Sequence, residues 1–346
     1  MATIMTSFSG HPLTSQIGNI TAQTDSSRET VTLAHYDAGQ NYLFSTVLYA
    51  FNGYVTLYDL SSIIEEDMRK CGISVGDYLL RIGNASLRIE PVYCDYMAEG
   101  LSLDGCFLST MTSQRVYIDS AFEINALPNR DPVDLVCLYR DTGGETDTYT
   151  FASSGPDLET GCVRGTFRMI LDRLNETLDA DVSLLAVTIR NGSRSKTYYI
   201  MPGDADVHFY FRNCFNAFDY IDLKGILTEK TAVSRELAIC AGRASQYDRR
   251  VNQTFEFQSE PLTGQEAESI SQLVASHEVY LEHGETVERI LVTDHTCEID
   301  NDDAALWTVK VTWRYVDGRA HLTRARIDDL LTDGGIFTNQ FTEQFQ

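Results

Sequence analysis

The sequence predicts a mainly β protein with two or three β-sandwich or barrel-like domains, the last of which has one amphipathic helix packed on its sheet. Segments that alternate apolar and polar residues recur along the chain, as half-buried strands do. Turn pairs such as Asn-Gly separate several of these segments. A length of 346 residues fits two or three domains, and 43% hydrophobic residues suffice for a core in each of them.

Changes of composition divide the chain into five segments. Residues 1–30 are rich in Ser and Thr and have no hydrophobic period, which predicts an N-terminal arm that is flexible or is ordered only by a partner. The chain becomes polar again at its end, which predicts a C-terminal arm over 317–346. Between the arms we expect three β domains, over 31–118, 119–206 and 207–316.

The first domain is expected to combine strands with one short helix. Its strands are predicted over 42–51, from Tyr54 onward after an Asn52-Gly53 turn, and over 87–93. A helix is predicted over 61–71. Ser62 and Glu65 have the spacing of a capping box. Gly72 suits the left-handed position that follows a last helical turn.

The middle domain is expected to consist largely of hairpins. Strands are predicted over 134–140, 147–152, 184–190 and 195–201. Asn191-Gly192 favours a tight hairpin turn between the last two strands. The apolar residues of 163–179 suit a helix, but the run at its start also suits a strand, and both interpretations remain open.

The third domain gives the clearest patterns. Its strands are predicted over 207–212, 251–258, 288–294 and 306–316, and both tryptophans of the chain fall on one face of the last strand. A helix is predicted over 264–275, because Thr263 and Glu266 form a capping box. The helix has one apolar stripe, made of Ala267, Ile270, Leu273 and Val274, so it should pack on the sheet as a brace.

The charge argues against nucleic acid and anionic membranes as partners. The chain has 50 acidic and 27 basic residues, a net charge of −23, and such a surface repels phosphate. The eight cysteines are scattered, which predicts free thiols in a protein assembled in the cytoplasm. We expect neither a signal peptide nor a membrane span.

Three short motifs are considered for chemistry and interpreted as structural. The triplet Asp141-Thr142-Gly143 matches aspartic proteases, but its neighbours indicate a hairpin turn. His277-Glu278 begins like a zinc helix, but Leu281 stands where the second histidine is needed. The acidic stretch 294–303 favours a solvated turn, with weak Ca²⁺ binding as the alternative. We therefore predict no catalytic residue, no metal and no cofactor.

The aromatic tract 209–225 has two interpretations. It fits a core strand that runs into a domain boundary, with asparagines in the turn. It also fits a protein–protein contact, where aromatic residues are enriched. The candidate interface residues are Phe211, Asn213, Phe215, Phe218 and Tyr220.

The C-terminal block contains four segments in this order: FRNCFNAFDYIDLKG, ASQYDRRVNQTFEFQSEPLTGQEAESISQLVASHEVYL, ERILVTDHTCEID and WTVKVTWRY. Together they resemble a module found in tail-gene regions of phages and prophages of Bacteroidetes bacteria. The upstream segments VTLYDLSSIIEEDM, LRIEPVYCDY and CFLSTMT resemble earlier parts of such proteins. The resemblance implies a structural protein of the virion tail or baseplate, assembled in the host cytoplasm, whose partners are copies of itself and neighbouring tail proteins. It supplies no catalytic residues.

Two other functions are kept as alternatives. A β-sandwich adhesin that binds host-surface glycans would use exposed aromatic rings beside carboxylates. The tract 92–97, with Tyr93 and Tyr96 around Asp95, is its nearest candidate site. An enzyme without a recognisable motif is the second alternative function. For the tail protein, the acidity suggests a conduit that repels DNA.

Overall fold

The computed structural model describes residues 1–8, 10–36, 42–96, 103, 105–127, 131–152, 162–240, 243–283, 286–297 and 307–316. Within these residues the chain is mainly β, as predicted, with five sheets and three α-helices. The described helices are all too short and too polar to cross a lipid bilayer. The predicted C-terminal arm and residues 298–303 of the acidic stretch lie outside the described residues.

The first domain is built from two sheets and a helix. Its strands are β1 (Thr3–Ile4), β2 (Ile20–Gln23), β3 (Arg28–His35), β4 (Tyr42–Tyr49), β5 (Tyr54–Leu57), β6 (Tyr78–Ile82) and β7 (Ala85–Ile89). One sheet has the order β1-β2-β5 and the other has the order β4-β3-β6-β7. The Asn52-Gly53 turn is confirmed, since both residues have positive φ and Phe51 bridges to Tyr54.

The prediction of a flexible arm over residues 1–30 is wrong. Ile17, Ile20 and Ala22 are buried in the first core, and a short 3-10 helix at Thr14–Gln16 precedes β2. The strands here are only two to four residues long. Such strands are too short to show a hydrophobic period, so the segment has the composition of an arm although it is folded.

Helix α1 (Leu60–Cys71) was predicted to within one residue, but its cap differs. Asp59 is the N-cap residue, with φ +56, and its side chain makes no capping hydrogen bond. Ser62 Oγ instead donates to Asp59 Oδ1 at 2.6 Å, so the predicted Ser62–Glu65 capping box is not formed. Gly72 has φ +66 after the last turn, as predicted.

The second domain has a five-stranded sheet, a two-stranded sheet and one helix. Its elements are β8 (Ser113–Tyr117), β9 (Ala121–Asn125), β10 (Val133–Arg140), β11 (Thr146–Ala152), β12 (Cys162–Thr166), α2 (Phe167–Leu178), β13 (Ser183–Asn191) and β14 (Arg194–Met201). The larger sheet has the order β11-β10-β13-β14-β8, and β8 pairs with β14 in parallel. This domain therefore begins before the predicted boundary at residue 119.

Two sequence interpretations are resolved in the second domain. The open segment 163–179 is a strand followed by a helix, and Thr166 caps the helix by accepting a hydrogen bond from the Met169 backbone N–H. The triplet at 141–143 lies in the hairpin turn between β10 and β11, as predicted. The hairpin around Asn191-Gly192 is also confirmed.

The third domain is a seven-stranded sheet with one helix on it. Its elements are β15 (Val207–Arg212), β16 (Phe218–Leu223), β17 (Gly225–Cys240), β18 (Arg243–Ser259), α3 (Gly264–Ala275), β19 (Val279–His283), β20 (Thr286–Cys297) and β21 (Val309–Tyr315). The strand order is β16-β15-β19-β20-β21-β18-β17. The capping box of Thr263 and Glu266 is present, and Ile270 and Leu273 pack in the core of this sheet, as predicted.

The described cysteine side chains are free thiols: Cys71, Cys94, Cys106, Cys137, Cys162 and Cys214. The side chains of Cys240 and Cys297 lie outside the described part of the chain. For the six described residues, the prediction of unpaired cysteines is confirmed.

Candidate functional site

The three domains meet at the turn between β15 and β16, which we call the junction turn (residues 212–217). Asn216 has φ +54, a left-handed conformation that asparagine tolerates better than most residues. Its Nδ2 donates to the backbone oxygens of Met68 and Ile73, both in the first domain and both at 3.0 Å. Asn213 Nδ2 donates to the backbone oxygen of Leu108 at 2.8 Å. The turn thus joins the third domain to the first domain and to the segment that leads into the second.

Arg212 reinforces the junction turn. Its Nε donates to Glu278 Oε2 at 2.7 Å, and its Nη1 donates to the Asn216 and Gly72 backbone oxygens at 2.7 and 3.1 Å. Gly72 has φ +66, which favours glycine, and a Cβ there would also lie 2.8 Å from Arg212 Nη2 and displace the end of that side chain. Burial raises the pKa of Glu278, but hydrogen bonds from Tyr280 and Arg212 outweigh it and the pKa is lowered.

The predicted interface residues lie at this internal junction. The side chains of Phe211, Asn213 and Phe215 are buried within the chain, so the prediction that they contact another protein is wrong for these three. Phe218 and Tyr220 are half-buried and stack on Tyr210, with ring centroids 4.1 and 4.4 Å away. Phe215 belongs to a small core with residues from all three domains, which include Leu13, Val92, Leu108 and Leu127. The aromatic tract therefore joins domains of one chain.

Helix α3 contacts the second domain through a second, polar face. Glu266, Ser269 and Gln272 are spaced three residues apart and are buried. Glu266 receives hydrogen bonds from the Arg115 guanidinium, the shortest being 2.6 Å from Nη2 to Oε2. Gln272 Nε2 donates to Thr110 Oγ1 at 2.7 Å. Burial raises the pKa of Glu266, but hydrogen bonds from Arg115 and Thr263 outweigh it and lower the pKa.

A buried ion pair also crosses between the second and third domains. Lys196 Nζ on β14 lies 3.3 Å from Asp219 Oδ1 on β16, and the two side chains are only 2% and 4% exposed. Asn213 Nδ2 donates to the other carboxylate oxygen of Asp219 at 2.7 Å, and Lys196 Nζ donates to Ser109 Oγ at 3.1 Å. Burial lowers the pKa of Lys196, but the Asp219 carboxylate outweighs it and raises the pKa, so the ammonium is retained.

A cleft of about 710 Å³ opens at the same junction, with lining residues from all three domains. Its charged groups already have partners: Arg164 Nε donates to Glu123 Oε2 at 2.6 Å, and Tyr210 Oη donates to the same oxygen at 3.0 Å. Burial, aided by Glu123, raises the pKa of the Cys162 thiol in this lining to about 11. Because the thiolate is the nucleophilic form, Cys162 is a weak nucleophile at neutral pH. These contacts serve to hold the domains together.

One feature extends away from the body of the third domain. Strands β17 and β18 pair along their whole length, but β21 pairs with β18 only from Phe255 to Gln258. Beyond that point the two strands continue as a two-stranded ribbon, which we call the arm (residues 230–240 and 243–254). Its β17 side has eleven residues, which corresponds to about 36 Å of extended chain.

The arm exposes apolar side chains that the sequence analysis did not single out. Val233, Leu237 and Ile239 are 45%, 68% and 80% exposed. Every described side chain from Lys230 to Ile239 is exposed. Two-stranded ribbons are only marginally stable in water by themselves. Exposed apolar side chains grouped in this way are typical of contact surfaces.

The candidate glycan site is not formed as expected. Tyr93 is buried, at 5% exposure, and only Tyr96 presents its ring to solvent. Burial raises the pKa of Asp95 between them. The tract 92–97 therefore lacks the two exposed rings that the adhesin interpretation requires.

One group of described residues combines three types of metal ligand. The Nε2 or Nδ1 atom of His35, a carboxylate oxygen of Asp67 and the Sγ atom of Cys71 lie within 4.8 Å of one another. The three residues come from β3 and α1 in the first domain, away from the motifs considered in the sequence.

Comparisons with known proteins add little. No family model matches the chain, and no curated protein matches it. Among solved structures, it is similar to an α-2-macroglobulin from Salmonella reacted with methylamine, with 10% identity and a TM-score of 0.17. The alignment covers 82% of this chain and 23% of that protein, so the chain spans about a quarter of its length. A similarity this weak carries no argument about fold or function.

Proposed function

We propose that this protein is a structural component of a phage tail or baseplate, and that it assembles with copies of itself and with neighbouring tail proteins. The observation that carries the proposal is the arm, a long β ribbon with exposed apolar side chains that emerges from an otherwise compact domain. The resemblance of the C-terminal segments to phage tail modules supports the same function.

Strand β17 suits β-sheet extension by a neighbour. It is the last strand of the seven-stranded sheet in the described part of the chain, and it is sixteen residues long. An unpaired edge of this length presents a row of backbone donors and acceptors, and proteins normally cover or interrupt such edges. Head-to-tail pairing of this edge with another copy generates a ring when the rotation closes.

The charge of the arm favours a second copy as the partner. Residues 230–254 contain five basic and two acidic residues, whereas the whole chain has 27 basic and 50 acidic ones. The rest of the chain therefore has an excess of 26 negative charges. A basic arm on a strongly acidic body is complementary to the body of a neighbouring copy. The acidic body also fits a conduit that does not retain DNA.

The junction supports a structural role. A component of a tail must transmit load between its neighbours, so its domains should not rotate freely. Here Lys196 and Asp219 are buried between two domains, and Asn216 and Arg212 connect the third domain to the first. Linkers without such contacts would allow relative domain motion.

The self-assembly step is tested by measuring mass against concentration for the full chain. Ile239→Asp should reduce association by roughly tenfold or more, since a charge replaces a buried apolar contact at the interface. Phe51→Asp is the matched control, because Phe51 and Ile239 are both 80% exposed but Phe51 lies outside the arm. Association that is equal in the two variants, or a wild type that stays monomeric at high concentration, would contradict the role of the arm.

The position in a virion needs a separate test. Mass spectrometry of purified particles should find this chain, and imaging of the same particles should place it in the tail or baseplate. A protein that assembles through its arm but is absent from every particle would leave self-association intact and refute the tail assignment.

A further inference from the structure

The His35, Asp67 and Cys71 cluster, which we call the HDC cluster, lies where the first sheet meets helix α1. His35 is the last residue of β3, and Asp67 and Cys71 are one helical turn apart near the end of α1. Residues four apart on a helix project from the same face, so both helical side chains reach the same strand end. The same side of α1 carries Leu60, Ile64 and Met68, which are buried in the first core and fix the helix beside the strand end.

The side chains are close enough to share a single bound ion, since their ligand atoms all lie within 4.8 Å of one another. His35 Nε2 lies 3.2 Å from Asp67 Oδ2, and Cys71 Sγ lies 4.0 Å from Asp67 Oδ1. Around a tetrahedral Zn²⁺, ligand nitrogen and oxygen atoms are about 3.3 Å apart, and oxygen and sulfur atoms about 3.6 Å apart. The first separation matches, but the second is to the other carboxylate oxygen of Asp67 and is longer. A movement of the Cys71 side chain toward the ion would complete the site. The exposed Cys71 side chain has room for that movement.

The carboxylate of Asp67 is held in place by its surroundings. Tyr78 Oη donates to Asp67 Oδ2 at 2.7 Å, and the Tyr78 ring stacks on His35 with centroids 5.0 Å apart. Hydrogen bonds of this kind orient metal ligands and affect affinity strongly.

We infer that the HDC cluster binds a divalent transition-metal ion of the Zn²⁺ class through His35, Asp67 and Cys71. Imidazole, carboxylate and thiolate together suit Zn²⁺ and Co²⁺ better than Mg²⁺ or Ca²⁺, which prefer oxygen alone. Three protein ligands leave a fourth position for water. Such an ion ties the end of β3 to the end of α1 and stabilises the first domain.

The test uses the full chain, freed of metal with a chelator and then titrated with Zn²⁺ or Co²⁺ alone. Zn²⁺ should raise the melting temperature in a concentration-dependent way. Co²⁺ should produce the near-ultraviolet charge-transfer absorption that a coordinated thiolate gives. Cys71→Ser should abolish that absorption, and His35→Gln should weaken Zn²⁺ binding by roughly 100-fold.

Cys106→Ser is the matched control, because Cys106 is also an exposed free thiol but lies outside the cluster. It should leave both the absorption and the Zn²⁺ affinity unchanged. The inference is overturned if Zn²⁺ does not stabilise the chain, or if Cys71→Ser retains the charge-transfer absorption. Circular dichroism of metal-free His35→Gln and Cys71→Ser separates loss of binding from loss of folding.

Discussion

The buried ion pair between Lys196 and Asp219 gives the sharpest test of how the domains are joined. In Lys196→Met the Asp219 carboxylate stays buried, at 4% exposure, without its counter-charge. It keeps one donor, Asn213 Nδ2 at 2.7 Å. In the double variant Lys196→Met with Asp219→Leu, both charges are removed together and apolar side chains of similar size fill the space.

The expected magnitudes follow from this geometry. Removing one partner of a buried pair costs about 3–5 kcal/mol, and the hydrogen bond that Asp219 retains places Lys196→Met near about 3 kcal/mol. Replacing a whole buried pair by apolar residues is often close to neutral, so the double variant should lie within about 1 kcal/mol of the wild type. The control is Lys230→Met, which removes an exposed pair with Glu256 and should cost at most about 1 kcal/mol.

Urea denaturation followed by fluorescence suits this comparison. Both tryptophans lie at the third domain, and Trp313 is fully buried, so its emission reports the unfolding of the domain that contains Asp219. Circular dichroism follows all domains at once, and agreement between the two signals tests for a single transition. If Lys196→Met costs no more than Lys230→Met, or if the double variant is less stable than the single one, the pair does not hold the domains as described.

Two further predictions concern helix α3. Leu273→Asp should unfold the third domain, because an unpaired charge at a fully buried position costs several kcal/mol. Tryptophan emission should then shift to longer wavelength at room temperature. A wild-type melting profile would refute the placement of the helix. Glu266→Gln should be less stable than wild type at pH 7, and the difference should shrink as the pH falls. The folded pKa of Glu266 is lowered from its usual 4.5, so its stabilisation is complete above that value and disappears as the pH falls through the folded pKa. Melting temperatures measured from pH 3 to 7 check this, and a constant difference would contradict it.

Local signals in the sequence were enough to predict much of the fold. Helix α3 was predicted with its correct ends because Thr263 and Glu266 mark its start and the apolar stripe defines its length. Strand β21 was predicted because alternate residues are buried along it. By contrast, the N-terminal strands are too short for any period to appear. The segment 163–179 was ambiguous because it contains both a strand and a helix.

The junction and the arm could not be predicted in the same way. Asn216 contacts residues about 145 positions away, and no local pattern reports contacts of that range. Glu266, Ser269 and Gln272 have helical spacing, but polar residues at this spacing usually mark a solvated face. The exposure of the arm could not be predicted because exposed and buried strands share the same β-forming residues. The HDC cluster requires β3 to end beside α1, which only the fold reveals.

The parallel pairing of β8 with β14 has a consequence for how the chain folds during synthesis. All described strands of the first domain have been made once Ile89 has been translated, but β8 pairs with residues 197–201. The ribosome adds roughly 5–20 residues each second, so roughly 4–17 s pass between the synthesis of β8 and the synthesis of its partner strand β14. Throughout that interval a nascent chain carries a finished N-terminal domain followed by an unmatched strand. Slow translation of the intervening codons would prolong this vulnerable state, and chaperone binding to that stretch would protect it.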